Sequence, residues 1–154
     1  MSFLCPRLAR IEYLEMELRD EFLRFASLET QKSLSERLGW HWYQNTQDWA
    51  IISSDSARIR EFLQIYKGDD LSDDEKFALM ELIISSFDDL VEEGGNLNRE
   101  GIWTDCRHIL INECWLHITT IHYWSSLEDK NQENGFPITE FIRPVWDNVK
   151  TKFM

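Results

Sequence analysis

The spacing of apolar residues between Ser72 and Gly94 constrains the fold more than any other feature of the chain. At about 100° per residue, these side chains collect on one face of a helix. Ser72 and Glu75 have the form of a capping box at its start, and Gly94 is a typical stop signal. The segment 72–93 is therefore predicted to be one long helix. Its predicted apolar face comprises Leu79, Met80, Ile83, Ile84, Phe87, Leu90 and Val91.

Two segments on the N-terminal side of this helix have less regular sequence patterns. Residues 3–38 carry apolar side chains at helical spacing and are predicted to be helical, with Gly39 as the stop and a possible break near Ser27. Residues 40–54 are rich in Trp, Tyr and Ile, which suits a β-hairpin. Because no glycine stands at the turn of that hairpin, a helix is favoured, but the sequence leaves both alternatives open.

The segment 101–127 is apolar on nearly every side. Such a helix is typically central and buried, so Trp103, His117 and Trp124 are predicted to lie in the core. No repeat, low-complexity stretch or linker divides the 154 residues. The expected fold class is all-α, a single domain spanning 1–154 with about five or six helices around this central apolar helix.

Negative charge is concentrated around the 72–93 helix. The chain has a formal net charge of −12, and residues 69–100 contribute −9 of it through eleven acidic and two basic residues. This charge argues against nucleic acid as a direct ligand, because the phosphates would be repelled. It leaves basic proteins as the natural electrostatic partners of the chain.

The acidic residues of this helix are predicted to line its polar side. A solvated helix face ordinarily mixes Glu with Lys at i, i+4 spacing, yet Lys76 is the only basic residue within the helix. We therefore predict that this face binds a basic partner, while a purely solubilising role stays open. Charge reversal along the face is expected to leave folding intact. The predicted partner-binding residues on the helix are Asp74, Glu81, Asp88, Asp89 and Glu92.

An aromatic cluster formed by Trp40, Trp42, Tyr43 and Trp49 precedes the acidic helix. Core packing is the commoner explanation for such a cluster. The alternative is a partly exposed aromatic anchor beside the acidic face, as in interface hot spots. In that case Trp42 and Trp49 complete the predicted partner-binding set.

No catalytic site, metal site or cofactor is predicted. The three cysteines Cys5, Cys106 and Cys114 lack CxxC spacing, and reduced thiols in the cytoplasm are expected. His117 falls near two of them on one helix, but a zinc site needs ligands from separated elements, so a buried histidine is favoured. No secretory leader or membrane span is expected, because charges occur throughout the N-terminal region and no apolar run reaches roughly 18 residues.

Two further functions remain open from sequence. A small helical enzyme with an acid-lined cleft would bring acidic and histidine side chains together in one pocket. An acidic adaptor or nucleic-acid mimic would instead regulate a DNA-binding protein through its charge.

The acidic helix 72–93 and the segments LHITTIHYWSSL (116–127) and FPITEFIRPVW (136–146) resemble bacterial immunity proteins. These are small, acidic, helical proteins that neutralise toxins delivered between competing cells. The resemblance implies a non-enzymatic binding protein that masks a basic partner, such as the nuclease domain of a cognate toxin. Toxin nucleases are basic because their substrates are anionic, which agrees with the charge of this chain.

Overall fold

The computed structural model describes residues 17–42, 48–68, 70–98 and 101–154. Within these ranges the chain forms α-helices joined by short loops and 3-10 turns, with no β-strand. The predicted all-α fold class is therefore confirmed. The helices are α1 (Leu28–Arg37), α2 (Trp49–Ile52), α3 (Ile59–Lys67), α4 (Asp73–Glu92), α5 (Ile102–Asn112), α6 (Cys114–Ser125) and α7 (Thr139–Val149).

Helix α4 begins and ends as the sequence predicts. The Ser72 hydroxyl accepts a hydrogen bond from the Glu75 backbone N–H, and the Glu75 carboxylate accepts one from the Ser72 N–H, which completes the capping box. Gly94 follows the helix with a φ of 80°, a conformation that glycine adopts without strain. Both signals are local, so they act whatever surrounds the helix.

Helix α4 is also the central element of the fold, packing against α1, α2, α3 and α6. The predicted apolar face is buried at Leu79, Met80, Ile83, Ile84 and Phe87. Burial extends well around the helix beyond that face, which leaves little of its middle open to solvent. The further buried residues of α4 are Phe77, Ala78, Leu82, Ser85 and Ser86.

The prediction of one central helix over 101–127 is wrong. The chain turns at Glu113, whose φ of −112° and ψ of 34° lie outside the helical region, and this residue separates α5 from α6. Each of the two helices buries its own face. The segment therefore looks apolar on every side because two differently oriented helices were read as one. The predicted burial of Trp103, His117 and Trp124 is nevertheless confirmed.

The N-terminal segment departs from the predicted long helix. Helix α1 begins after Ser27, whose side-chain oxygen accepts the Thr30 N–H, so the break near Ser27 is confirmed. Residues 17–27 contain only a 3-10 turn, Asp20–Phe22, and are not an α-helix. Tertiary contacts explain this, because Thr119 on α6 donates its hydroxyl to the Phe22 carbonyl at 3.2 Å. Residues 3–16 lie outside the described part of the chain.

The ambiguous segment 40–54 forms the short helix α2 at its end. Residues 43–47 lie outside the described ranges, and the described remainder contains no strand. Asp48 precedes α2 in the left-handed conformation with a φ of 51°. The helix alternative is therefore confirmed for Trp49–Ile52.

Candidate binding pocket

The acidic side chains of α4 do not form the continuous exposed face that the sequence predicts. Asp74 and Glu92, near the two ends of the helix, are exposed. Asp74 forms an ion pair with Arg24 at 2.7 Å, between its Oδ1 and the arginine Nη1. The three predicted binding residues between these ends, Glu81, Asp88 and Asp89, meet other parts of the fold, because α4 lies at its centre.

Asp88 and Asp89 bind neighbouring backbone and side-chain groups. Asp88 Oδ1 accepts the backbone N–H of Ile138, just before α7, at 3.0 Å. Burial raises the pKa of Asp88, although the bond from Ile138 opposes that rise. Asp89 accepts a hydrogen bond from the Ser54 hydroxyl in the loop after α2. Both carboxylates therefore hold adjacent elements against α4, which the sequence did not predict.

The role of Asp88 revises the expectation that charge reversal leaves folding intact. Asp88→Lys should lower the free energy of unfolding by about 2 kcal/mol, because it removes the acceptor of the Ile138 N–H and places a cation in a half-buried site. Glu92→Lys changes an exposed acid of the same helix and should stay within about 0.5 kcal/mol of wild type. Urea unfolding of both variants checks this, and equal losses would contradict the structural role of Asp88.

Glu81, at the middle of α4, lies in a pocket of about 400 Å³. The pocket opens to solvent and is lined by the extended segment before α1 and by residues of α1, α2, α4 and α6. Its lining combines one recessed carboxylate with aromatic, aliphatic and hydroxyl side chains. The lining residues are Arg24, Phe25, Ala26, Gln31, Asp48, Trp49, Ala50, Ile51, Glu81, Thr119, Thr120, Tyr123 and Trp124.

The Glu81 carboxylate has an unusual electrostatic environment. Burial raises its pKa to about 7, and no opposing charge or hydrogen bond counters that effect. Among the described residues it has neither an ion-pair nor a hydrogen-bond partner. Ionised carboxylates are costly to remove from water without a partner. Glu81 is therefore poised to gain a cation or a hydrogen-bond donor.

Two threonines on α6 form one wall of the pocket. Thr119 accepts the Arg24 backbone N–H at 2.9 Å, and this bond fixes the extended segment beside the pocket. Thr120 is 3% exposed, and its Oγ1 has no hydrogen-bond partner among the described residues. Buried hydroxyls are nearly always hydrogen-bonded in folded proteins. Thr120 is therefore a second polar group of the Glu81 pocket that lacks a partner in the described part of the chain.

Apolar side chains surround the opening of this pocket. Phe25 is 80% exposed, Ile51 is 50% exposed and Tyr123 is 52% exposed. The sequence pattern did not predict that these residues meet around a pocket, because they come from three separate elements. Exposed apolar side chains that cluster around a cavity are typical of interaction surfaces.

The two predicted aromatic anchors are placed differently from one another. Trp49 is 4% exposed, and its Nε1 donates to the Ser35 hydroxyl at 2.9 Å, so it is a core residue that forms part of the pocket wall. The core-packing explanation is therefore confirmed for Trp49, and the alternative of an exposed anchor is excluded there. Trp42 is half-buried, and the Lys32 ammonium lies 5.8 Å from its ring centroid. Its role in partner binding stays a prediction.

A separate buried network lies around His117. The Tyr66 hydroxyl is 2.6 Å from His117 Nε2 and 2.9 Å from Glu113 Oε2. Because its single proton goes to the Glu113 carboxylate, His117 Nε2 carries the proton that it donates to Tyr66. Burial lowers the pKa of His117 to about 3, which keeps the ring neutral. No histidine of the described residues lines the Glu81 pocket, so acid and histidine do not converge there.

The remaining chemistry in the described part of the chain is sparse. Cys106 and Cys114 are buried free thiols, and Cys5 lies outside the described ranges. Burial raises the pKa of the Cys106 thiol, which makes it a poor nucleophile. Among the described residues, no three His, Cys, Asp or Glu side chains are placed to hold a metal ion. No helix in these ranges combines the length and apolar character needed to cross a bilayer.

The chain was compared with family models, curated proteins and solved structures. No family model, curated protein or solved structure matches the chain.

Proposed function

We propose that this chain is a non-enzymatic binding protein that masks a basic protein partner, in the manner of an immunity protein that neutralises a cognate toxin. The observation that carries the proposal is the Glu81 pocket, where an acid without a partner among the described residues lies behind an exposed apolar rim. Interface hot spots combine such features, since apolar rings exclude water from a polar anchor at the centre.

The net charge of the chain supports a basic partner. Exposed acids such as Asp74 and Glu92 lie on the same helix as Glu81, towards its two ends. A field of this sign accelerates the encounter with a positively charged protein and weakens as salt is added. In this proposal the exposed acids steer the partner, whereas the pocket and its rim hold it. The buried free thiols Cys106 and Cys114 agree with a cytoplasmic location, which we include in the proposal.

Affinity capture with matched variants tests the function. Wild type should retain a basic protein that a Phe25→Ser variant fails to retain, because Phe25 is exposed at the pocket rim. Met154→Ser is the control, since Met154 is 55% exposed but does not line the pocket. Capture of the same proteins by both variants, or of acidic proteins alone, would count against the proposal.

Binding kinetics of the captured protein then separate steering from holding. Glu92→Lys should slow association, and this effect should shrink at high salt because the exposed charge is screened. Phe25→Ser should speed dissociation by at least about tenfold, because the exposed ring at the rim is buried against the partner and keeps water from the Glu81 carboxylate. An association rate that does not change with salt would remove the electrostatic part of the proposal.

An enzyme is the second candidate function, and one observation favours it. A carboxyl group with a pKa of about 7 in a concave site is suited to general acid–base catalysis. Among the described residues, the Glu81 pocket lacks a histidine or cysteine partner, and Thr120 is the only buried hydroxyl of its wall without a hydrogen bond. A Glu81→Gln variant that abolishes turnover of a small substrate would establish this alternative.

A further inference from the structure

We propose that the Glu81 pocket receives a single arginine side chain of the protein partner. This inference rests on the proposed function, because it requires a basic protein seated on the rim of the pocket. Beyond the proposed function, the inference names the chemical group that enters the pocket and the residues that contact this group. Glu81 binds the guanidinium, Thr120 accepts a further N–H, and the surrounding aromatic rings contact its plane.

Charge complementarity is the first argument for a cation. Glu81 is the one lining carboxylate on α4, and the described residues supply it with no partner. Arg24 also lines the pocket, but its Nη1 donates to Asp74 at 2.7 Å, and its guanidinium carbon lies 6.0 Å from the Phe77 ring centroid. Asp48, the other lining acid, adds to the negative charge. Among the described residues, the pocket therefore lacks a positive charge directed at Glu81.

The shape and lining of the pocket favour arginine over lysine. A guanidinium is planar, can bind a carboxylate through two parallel hydrogen bonds and stacks on aromatic faces. Phe25 and Tyr123 at the rim and Trp49 and Trp124 in the walls supply such faces. A volume of about 400 Å³ accommodates one long side chain together with some water. Lysine would gain the charge interaction but not the planar contacts.

The unsatisfied Thr120 hydroxyl is the second polar group at the site. Its Oγ1 has no hydrogen-bond partner among the described residues, although the residue is almost fully buried. A guanidinium has five N–H donors, so hydrogen bonds to one carboxylate leave several available. One of these can be donated to Thr120 when its side chain adopts a rotamer that turns the Oγ1 towards the pocket. The same guest thus satisfies both polar groups of the pocket.

The exposed rim indicates that the guanidinium belongs to a protein. A small free cation would fill the pocket and leave Phe25, Ile51 and Tyr123 exposed to water. A protein surface carrying the arginine would cover these side chains as well, which adds the apolar contribution typical of interface anchors. The rim therefore distinguishes a docking site for a protein from a metabolite site.

Model compounds test the pocket before any partner is known. N-acetyl-arginine methylamide should bind saturably with a dissociation constant on the order of 1 mM, as expected for one side chain without its protein. The indole N–H resonances of Trp49 and Trp124 should shift in NMR titrations, because both rings line the pocket. The lysine analogue should bind more weakly. The citrulline analogue has nearly the same shape without the charge and should produce no saturable shift.

Variants of the pocket make the test specific. Glu81→Gln should weaken binding of the arginine amide by at least about tenfold, and Thr120→Val should weaken it to a smaller extent. Glu92→Gln removes an exposed carboxylate from the same helix and should leave binding unchanged. Binding that survives Glu81→Gln, or that the citrulline analogue matches, would overturn the inference. Micromolar affinity for the free arginine amide would also overturn it, because that affinity indicates a metabolite site.

Failure of this inference can be told apart from failure of the proposed function. A captured basic partner that binds Glu81→Gln as well as wild type, but loses affinity with Phe25→Ser, would reject the arginine and keep the function. If no basic protein is retained while the arginine amide still binds through Glu81, the proposed function is rejected. The assignment of the guanidinium to a protein partner is then rejected with it.

Discussion

Replacing Trp124 with alanine is expected to lower the free energy of unfolding by about 3–5 kcal/mol. Trp124 is 5% exposed, and its ring centroid lies 4.8 Å from that of Phe136 and 5.2 Å from that of Tyr123. Removing the indole opens a cavity between α6 and the loop before α7, which the surrounding helices fill only in part. Urea unfolding of wild type and variant measures the loss.

Tyr123→Ala is the matched control for this substitution. Tyr123 is adjacent in the chain and stacks on the same Phe136, but it is 52% exposed. Its removal should cost less than about 1.5 kcal/mol, because water already contacts much of the ring. Wild-type stability of the Trp124→Ala protein would show that the indole is not packed in the core.

Glu81→Gln is expected to stabilise the protein, and to do so more strongly as the pH rises. Burial raises the pKa of Glu81 to about 7 in the folded state, from an ordinary value of 4.5. Below the lower value the carboxyl is protonated in both states and has no effect. As the pH rises through this interval, the unfolded chain releases its proton first, so the folded state loses stability until the pH exceeds about 7.

The size of this effect follows from the two pKa values. The ionised Glu81 should cost about 3 kcal/mol at alkaline pH, since one pKa unit corresponds to about 1.4 kcal/mol. The stability difference between Glu81→Gln and wild type should therefore grow by about 2 kcal/mol from about pH 5 to about pH 8. Glu92→Gln, an exposed change on the same helix, controls for the loss of one negative charge. A difference that is constant with pH would mean that water reaches the Glu81 carboxylate freely.

This destabilisation also bears on binding. A group whose charge opposes folding is relieved when a partner supplies the missing cation. A bound guanidinium should lower the pKa of Glu81, so complex formation near pH 7 should release a fraction of a proton. The same carboxylate therefore weakens the free protein and strengthens its complex, a pattern common at functional sites.

Helix limits were the features most readily predicted from the sequence. The capping box of Ser72 and Glu75 and the break at Ser27 depend on hydrogen bonds within one turn. The positive φ angles of Gly39 and Gly94 likewise depend on the residue itself. Periodic apolar spacing correctly placed five of the ten buried residues of α4. These features need no knowledge of the rest of the fold, which is why they could be predicted.

The position of each helix within the bundle could not be predicted in the same way. The segment 101–127 and α4 are both rich in apolar residues, and hydrophobicity alone pointed to the first as the central one. In the structure α4 is the central helix. The turn at Glu113 divides 101–127 into α5 and α6, which bury separate faces, and α4 packs against several neighbours. Such a turn carries no glycine or proline signal. It is stabilised by distant groups, including the Tyr66 hydroxyl and Lys76.

The acids of α4 show the division between sequence and tertiary structure most directly. By itself the sequence determined that 72–93 is a helix, that it is strongly acidic and which of its residues are apolar. It assigned Asp74, Glu81 and Asp88 to one polar side, because they recur at helical spacing. The tertiary structure shows that their surroundings differ. Asp74 is exposed and paired with Arg24, Glu81 lies in a pocket, and Asp88 accepts a hydrogen bond from the chain before α7. The surroundings of a side chain depend on which elements cover it, and those elements come from distant parts of the chain.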